Sequence, residues 1–249
     1  MSQKYPGGFI TKSPTLPAGP YETSVATGVW TLDQAMQFKK QGLWPTAGNP
    51  APPTVIGQAY GGGYYAGQIG VSGVATHYII VGPVASADSA KEYKTVNTAT
   101  AGADSVIDGP QNTADMVADG NATVYPAAHF CNNLSTGGQT DWYMPAKNEL
   151  EICYYNLKPT TASNDTSSGT NTNAVPSRGS NYTTGTPAQT SATDFQSTGT
   201  EDFGLADVYW SSTEEAAQYA WRQSFGTGGQ LKSTKYNAHR VRAVRRVAV

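Results

Sequence analysis

The sequence predicts an α+β fold rich in turns and short strands, preceded by an extended arm. Three observations predict it. Charged residues make up only 14% of the chain, while Gly and Tyr number 27 and 15, a composition suited to turns, strands and polar loops rather than long helices. Two stretches carry apolar residues at helical spacing and several others alternate like strands. The first part of the chain is crowded with proline, which continues neither a helix nor a central strand. At 249 residues the chain can bury one large core, and nothing in it demands two.

Residues 1–53 contain Pro6, Pro14, Pro17, Pro20, Pro45, Pro50, Pro52 and Pro53, so most of this segment is expected to run extended. One short helix interrupts it. The stretch "TLDQAMQFKKQG" sets Thr31 and Gln34 at capping-box spacing and Gly42 at its end. Trp30 and Trp44 bracket that helix. A thin proline-rich arm has no core for two indoles, so both are expected to pack on the body of the chain or on a neighbour, as docking residues.

From Thr54 the texture changes to Gly- and Tyr-rich strands, and in "THYIIVGP" the run Tyr78, Ile79, Ile80, Val81 reads as a buried strand. Residues 97–123, rich in Asp, Asn and Gly, read as a loop. In "YPAAHFCNNLSTGG", Pro126 suits a first helical position, and Ala127, Phe130, Cys131 and Leu134 fall at i, i+3, i+4 and i+7. The stretch "DWYMPAKNELEICYYN" repeats this design with Leu150, Cys153, Tyr154 and Leu157. Each helix is expected to bury one stripe.

Nearly half of residues 160–200 are Ser or Thr, with few large aliphatics, so this is a polar surface excursion or ordered lid that cannot build a core alone. Order returns with "DVYWSSTEE" and with "QYAWRQSF", where Tyr219, Trp221 and Phe225 alternate with polar residues. In the closing "HRVRAVRRVAV", Val241, Ala243, Val247 and Val249 are expected on one face of a terminal strand. Arg245 breaks that face and needs a partner.

Sixteen basic residues against eighteen acidic ones remove the electrostatic footprint of a dedicated nucleic-acid binder. One local basic cluster remains, Arg240, Arg242, Arg245 and Arg246. The opening residues lack the pattern of a signal peptide, and no apolar run reaches the length of a bilayer, so the expectation is a soluble protein made in a cytoplasm. Cys131 and Cys153 lie on helical stripes and read as small buried hydrophobes, with a mutual disulfide as the alternative. His77, His129 and His239 are isolated and no C-x-x-C pair exists, so neither a metal site nor a catalytic histidine is expected. Asp104, Asp108, Asp115 and Asp119 fit no calcium-loop spacing. The glycines around "GGGYYA" would spoil the helix of a dinucleotide site, so no cofactor and no enzymatic activity are expected.

The order of a Gly-rich strand, "DGPQNTADM", a helix with an internal cysteine, "GGQTDWYMPAKNELE", "YWSSTE", "AWRQSF" and a terminal "RVRAVRR" resembles the Lcl-type domain. That is the C-type-lectin-like module at the end of a bacterial collagen-like adhesin and in many tailed-phage virion proteins. The likeness covers roughly residues 54–249 and is densest at 141–151 and 209–214. In addition, "YPGGFITKSPTLPAGPYETSVATGVWTLDQ" and the following "KKQGLWPTAGN" are similar to the opening of phage structural proteins, marine phages especially.

The resemblance implies an α+β, C-type-lectin-like fold at 54–249, with two helices flanking short antiparallel strands and long loops, behind an arm at 1–53. In that family the helix after DW-x-x-P begins with a capping Ser or Thr. Here Ala146 stands in that place while Glu149 is retained, so one cap worth about 1 kcal/mol is missing. Calcium-binding lectins of the superfamily use EPN or QPD and WND motifs, whereas this chain has "WSS" at 210–212, so calcium is not implied. Tyr209, Trp221, Tyr236, Asn237, His239 and Arg240 lie in the C-terminal segment that faces the ligand in related phage proteins. Aromatics, amides and arginine are residue types that anchor interfaces at low entropic cost. Trp210 and Trp221 read as core before contact.

The function implied is that of a non-enzymatic virion protein assembled in the host cytoplasm. It would act as a tail-fibre or appendage tip adhering to a host-surface glycan or protein, tied to other virion subunits through the arm. A homo-oligomer is expected, trimeric by preference, with no nucleic-acid partner and no membrane insertion. The alternative is a head or tail decoration protein that binds other virion subunits and stabilises the particle.

Overall fold

The computed structural model describes residues 52–204 and 207–249, together with residues 3–5, 8–10, 33, 36, 37 and 40. The chain divides into two units, Met1–Pro52 and Pro53–Val249. In the first, β1 (Gln3–Tyr5) pairs antiparallel with β2 (Gly8–Ile10). Asp33, Met36, Gln37 and Lys40 are helical and exposed. Trp30 and Trp44 lie outside the described residues.

The second unit is mostly β. Its described residues form ten strands: β3 (Ala59–Tyr60), β4 (Gly63–Val71), β5 (Val74–Val81), β6 (Asp88–Glu92), β7 (Ala174–Val175), β8 (Val208–Ala216), β9 (Tyr219–Ser224), β10 (Gln230–Thr234), β11 (Ala238–Arg242) and β12 (Val244–Ala248). Four short helices accompany them: α1 (Val84–Ala87), α2 (Gly109–Asp119), α3 (Pro126–Asn132) and α4 (Lys147–Leu157). One five-stranded sheet runs β10-β9-β8-β11-β6. The other runs β12-β5-β4-β3, with β7 also on β4.

This architecture corrects the expected C-type-lectin-like fold of two helices flanking short strands. Helices and strands are mixed as foreseen, but the strands dominate, and β4 and β8 each run nine residues. The helical stripes drew attention to α3 and α4 and away from α2, which occupies the stretch read as a loop. Asp108 starts α2: its Oδ1 accepts from the Gln111 N–H at 3.3 Å, and Pro110 sits in the first turn. The buried side of α2 is carried by Asn112, Thr113 and Met116, too polar a stripe to show as hydrophobic periodicity. In α4 the single stripe is also corrected, because Glu149, Glu151 and Ile152 are buried along with Leu150, Cys153, Tyr154 and Leu157.

Two cores lie on opposite faces of the β8 sheet. Trp210 faces a core with Tyr93, Tyr125, Trp142 and Met116, whereas Tyr209 faces one with Phe203, Phe225, Tyr154 and Leu150. This is the two-residue alternation of a strand buried on both sides. The expected face of the terminal strand holds for Val241 and Ala243, which lie in the first core, and for Val247, which packs against it, but it is divided between β11 and β12 because the chain changes sheets at Ala243. The Ala243 N–H donates to Ala87 O at 2.8 Å and its carbonyl accepts from the Gly82 N–H at 2.9 Å. Val244 turns to the second core, and Val249 is exposed. Val244 exchanges backbone hydrogen bonds with Tyr143 at 2.9 and 3.0 Å, which docks the "DWYMP" stretch on β12.

The arginines of this segment tie the two sheets to their surroundings. Arg242, with no exposed surface, donates to Gly82 O and to Glu201 at 2.7 Å each and lies 3.6 Å from Asp88. Arg246 donates to Glu149 Oε1 at 2.7 Å. Arg245 finds its partner in Asp141, held through two nitrogens at 2.7 and 2.9 Å. Glu149 does more than complete its half of a capping box. Its Oε2 accepts from the N–H of Ala146 at 2.8 Å and of Gly109 at 3.2 Å, so one carboxylate serves the positive ends of α4 and α2 together.

Removing one member of a buried ion pair leaves the other desolvated, which costs about 3–5 kcal/mol, whereas exposed pairs contribute about 1 kcal/mol or less. Arg242→Met is therefore expected to lower the urea midpoint sharply. Arg245→Ala should shift it little, since Asp141 is largely exposed.

Candidate functional site

The sequence-derived candidates separate onto the two faces of the β8 sheet. Tyr209 and Arg240 stand in register on neighbouring parallel strands and share Asp88: the Tyr209 hydroxyl donates to Oδ2 at 3.1 Å and Arg240 Nε to Oδ1 at 2.8 Å. Tyr209 is only 1% exposed, packed edge-on against Phe203 and Phe225. It belongs to the core, not to a contact surface. Arg240 is held between Asp88 and Asp207, so its charge is already neutralised. Burial pushes the Asp88 carboxyl above its ordinary range, and the guanidiniums of Arg242 and Arg240 offset part of that rise.

Trp221 is half-buried rather than core, with the Lys147 ammonium 3.8 Å above its ring. Desolvation lowers the Lys147 pKa. Opposite Trp221 across the hairpin stands Lys232, which pairs with Glu215.

Tyr236 and Asn237 lie on the turn between β10 and β11, and His239 follows on β11. Tyr236 is 52% exposed. Ser233 organises the other two: Asn237 Nδ2 donates to its Oγ at 2.9 Å, and His239 Nε2 meets the same oxygen at 2.9 Å. The His239 ring lies against Trp210, with centroids 4.6 Å apart. Burial pushes its pKa down to about 4, with a smaller push from the Arg222 guanidinium, so the imidazole is neutral at physiological pH.

Arg222 is the residue that sequence reasoning missed. The other five arginines of the chain each reach a carboxylate. Arg222 reaches none among the described residues, and its buried Nε has no hydrogen-bond partner there. It faces Leu231 across the hairpin and Trp210 on the other side, so Leu231, Arg222 and Trp210 form a row on the His239 face. Leu231 is 49% exposed. The alternation in "YAWRQS" already puts Arg222 on the face opposite Trp221; nothing in the sequence says which of the six arginines lacks a carboxylate.

His239 also pairs with Lys91 on β6. Lys91 borders a groove of about 440 Å³ whose walls include Pro126, His129, Phe130 and Leu134, and its ammonium lies 5.8 Å from the Phe130 ring centre. The surface thus joins aromatic, amide and cationic groups with an apolar groove, a composition suited to binding. Cys131 and Cys153 are free and buried, and burial pushes both thiols well above their ordinary pKa. Among the described residues, no three His, Cys, Asp or Glu side chains gather as a metal-binding group, and no helix is long and apolar enough to cross a membrane.

Residues 110–245, more than half of the chain, match the Lcl C-terminal domain. The chain belongs to the Lcl C-terminal domain family. The matched region opens in the first turn of α2 and closes in β12, so it contains the hairpin surface together with Arg242, Glu201 and Glu149, while Asp88, Gly82 and Arg246 lie outside it. In structure the chain is similar to a fimbrial protein from Bacteroides ovatus, with a TM-score of 0.42 and 13% identity. The alignment covers 79% of this chain and 45% of that one, so the chain spans less than half of that protein's length. No curated protein matches the sequence.

Because the folded pKa of His239 is depressed from 6.5 to about 4, its contribution to stability is complete above pH 6.5. It is lost as the pH falls through that window. An NMR titration should show the His239 ring still neutral at pH 5.5, and His239→Gln should flatten the corresponding segment of the stability–pH curve.

Proposed function

We propose that this chain is a non-enzymatic virion protein of a tailed phage that adheres to the host surface as a tail-fibre or appendage tip. One observation carries the recognition reading. At the end of the β8 sheet an amide and a neutral imidazole meet at Ser233, the exposed Tyr236 lies on the adjoining turn, and an arginine without a carboxylate among the described residues lies on the same face. A half-buried guanidinium lacking a counter-ion is costly to keep, and a partner bearing acidic groups would supply the counter-ion on binding. That role falls to Arg222 rather than to Arg240, whose charge Asp88 and Asp207 already meet. Family membership supports a recognition module, and the likeness of the first fifty residues to phage structural proteins supports attachment to other virion subunits there. In this proposal the protein works as a homo-oligomer, trimeric by preference, on a host-surface glycan or protein.

The test is the double variant Tyr236→Ala with Arg222→Gln. Tyr236 is exposed, where substitutions shift stability by about 0.5 kcal/mol at most, and Gln removes a half-buried charge that has no carboxylate among the described residues, so thermal unfolding should not fall. Adsorption to host cells should fall about tenfold or more, equivalent to about 1.4 kcal/mol of binding. If adsorption is unchanged while particles carrying the variant come apart on mild heating, the protein is a decoration subunit instead.

A further inference from the structure

The Ser/Thr-rich excursion takes no part in the hairpin surface, yet it is built as a rigid wall. We infer that it holds a second binding site, a cleft for one uncharged sugar ring, lined by Tyr155, Arg178, Ser180, Asn181, Tyr182 and Thr183. The cleft has a volume of about 260 Å³, just under the roughly 300 Å³ at which drug-sized pockets begin, which limits the ligand to about one ring.

Three buried polar groups fix the wall from beneath. Glu151 accepts from Asn171 Nδ2 at 2.6 Å and the Tyr182 hydroxyl at 2.9 Å and pairs with Arg178. Asn164 Nδ2 donates to the carbonyls of Thr183, Thr184 and Pro187, while its Oδ1 accepts from the Tyr154 hydroxyl at 2.7 Å. Lys158 Nζ donates to Ala162 O at 2.6 Å and Pro187 O at 3.2 Å. The loop backbone is therefore set before any ligand arrives, which removes an ordering cost from binding.

The chemistry of the lining selects the ligand class. The Arg178 guanidinium lies 3.9 Å over the Tyr155 ring, giving the cleft a flat, stacked platform. Its charge is met by Glu151, and no other ionisable side chain of formal charge borders the cleft, so nothing there favours an ionic ligand. Ser180, Asn181 and Thr183 are exposed at the rim. Thr170 Oγ1 donates to Asn181 Oδ1 at 2.7 Å, which fixes the amide and leaves its Nδ2 without a protein partner among the described residues. A flat platform with fixed hydroxyl and amide groups around it matches a ring that presents C–H faces and equatorial hydroxyls.

Saturation-transfer NMR on the full chain, with the methyl glycosides of glucose, galactose, mannose and N-acetylglucosamine as probes, tests this. At least one should give a signal, with a Kd on the order of 1 mM. Ser180→Trp, which fills the cleft from an exposed position, should abolish it, and Asn181→Ala should weaken it by about fivefold, both at unchanged melting temperature. The Tyr236→Ala, Arg222→Gln variant should retain it, so failure of the hairpin surface and failure of the cleft read out separately. Silence from all four glycosides, a signal from adenosine alone, or an undiminished signal in both cleft variants overturns the proposal.

Discussion

The fully buried guanidinium of Arg242 is the constraint on which the rest of the second unit depends. A desolvated charge costs several kcal/mol unless it is paired and hydrogen-bonded, so the chain must bring Glu201, Asp88 and the Gly82 carbonyl to one place. Those groups come from the end of the polar excursion, from β6 and from the exit of β5. Arg246 and Glu149 repeat the arrangement at the helix starts, where one carboxylate also receives N–H groups from α2 and α4. The basic cluster of the closing sequence is thus a set of internal ties.

The same requirement decides what remains for recognition. Once Arg240 is held by Asp88 and Asp207, its charge has no need of an outside partner. Arg222, on the opposite face and without a carboxylate among the described residues, does. Strand alternation divides the candidates in the same way, sending Tyr209 into one core and setting the half-buried His239 against the buried Trp210 on the other face.

The excursion at 160–200 shows a different way of ordering a chain. It offers few apolar side chains, among them Phe195 and Ala174, and relies on Glu151, Asn164 and Lys158 as buried polar hubs. Hydrogen bonds in such surroundings are strong when satisfied and costly when broken. A segment with the composition of a flexible loop can therefore be a fixed wall.

Local signals decided much of the secondary structure from the sequence alone. Pro126 and the i, i+3, i+4, i+7 stripes placed α3 and α4, the apolar run at 78–81 marked β5, and the motif order around 141–151 and 209–214 pointed to the Lcl-type family. These are properties of neighbouring residues, and a 3.6- or 2-residue period exposes them. The half-capping Glu149 was also visible, but not its second partner on α2. The Asp108-Gly109-Pro110 start of α2 was present in the sequence, yet a polar buried stripe hid it. The dominance of sheet over helix, the change of sheets at Ala243 and the burial of Tyr209 were settled by strand pairing between residues far apart. Which arginine stays unpaired was decided only there too, because a charge is neutralised by whatever the fold brings within a few ångströms, and sequence separation carries no trace of that distance.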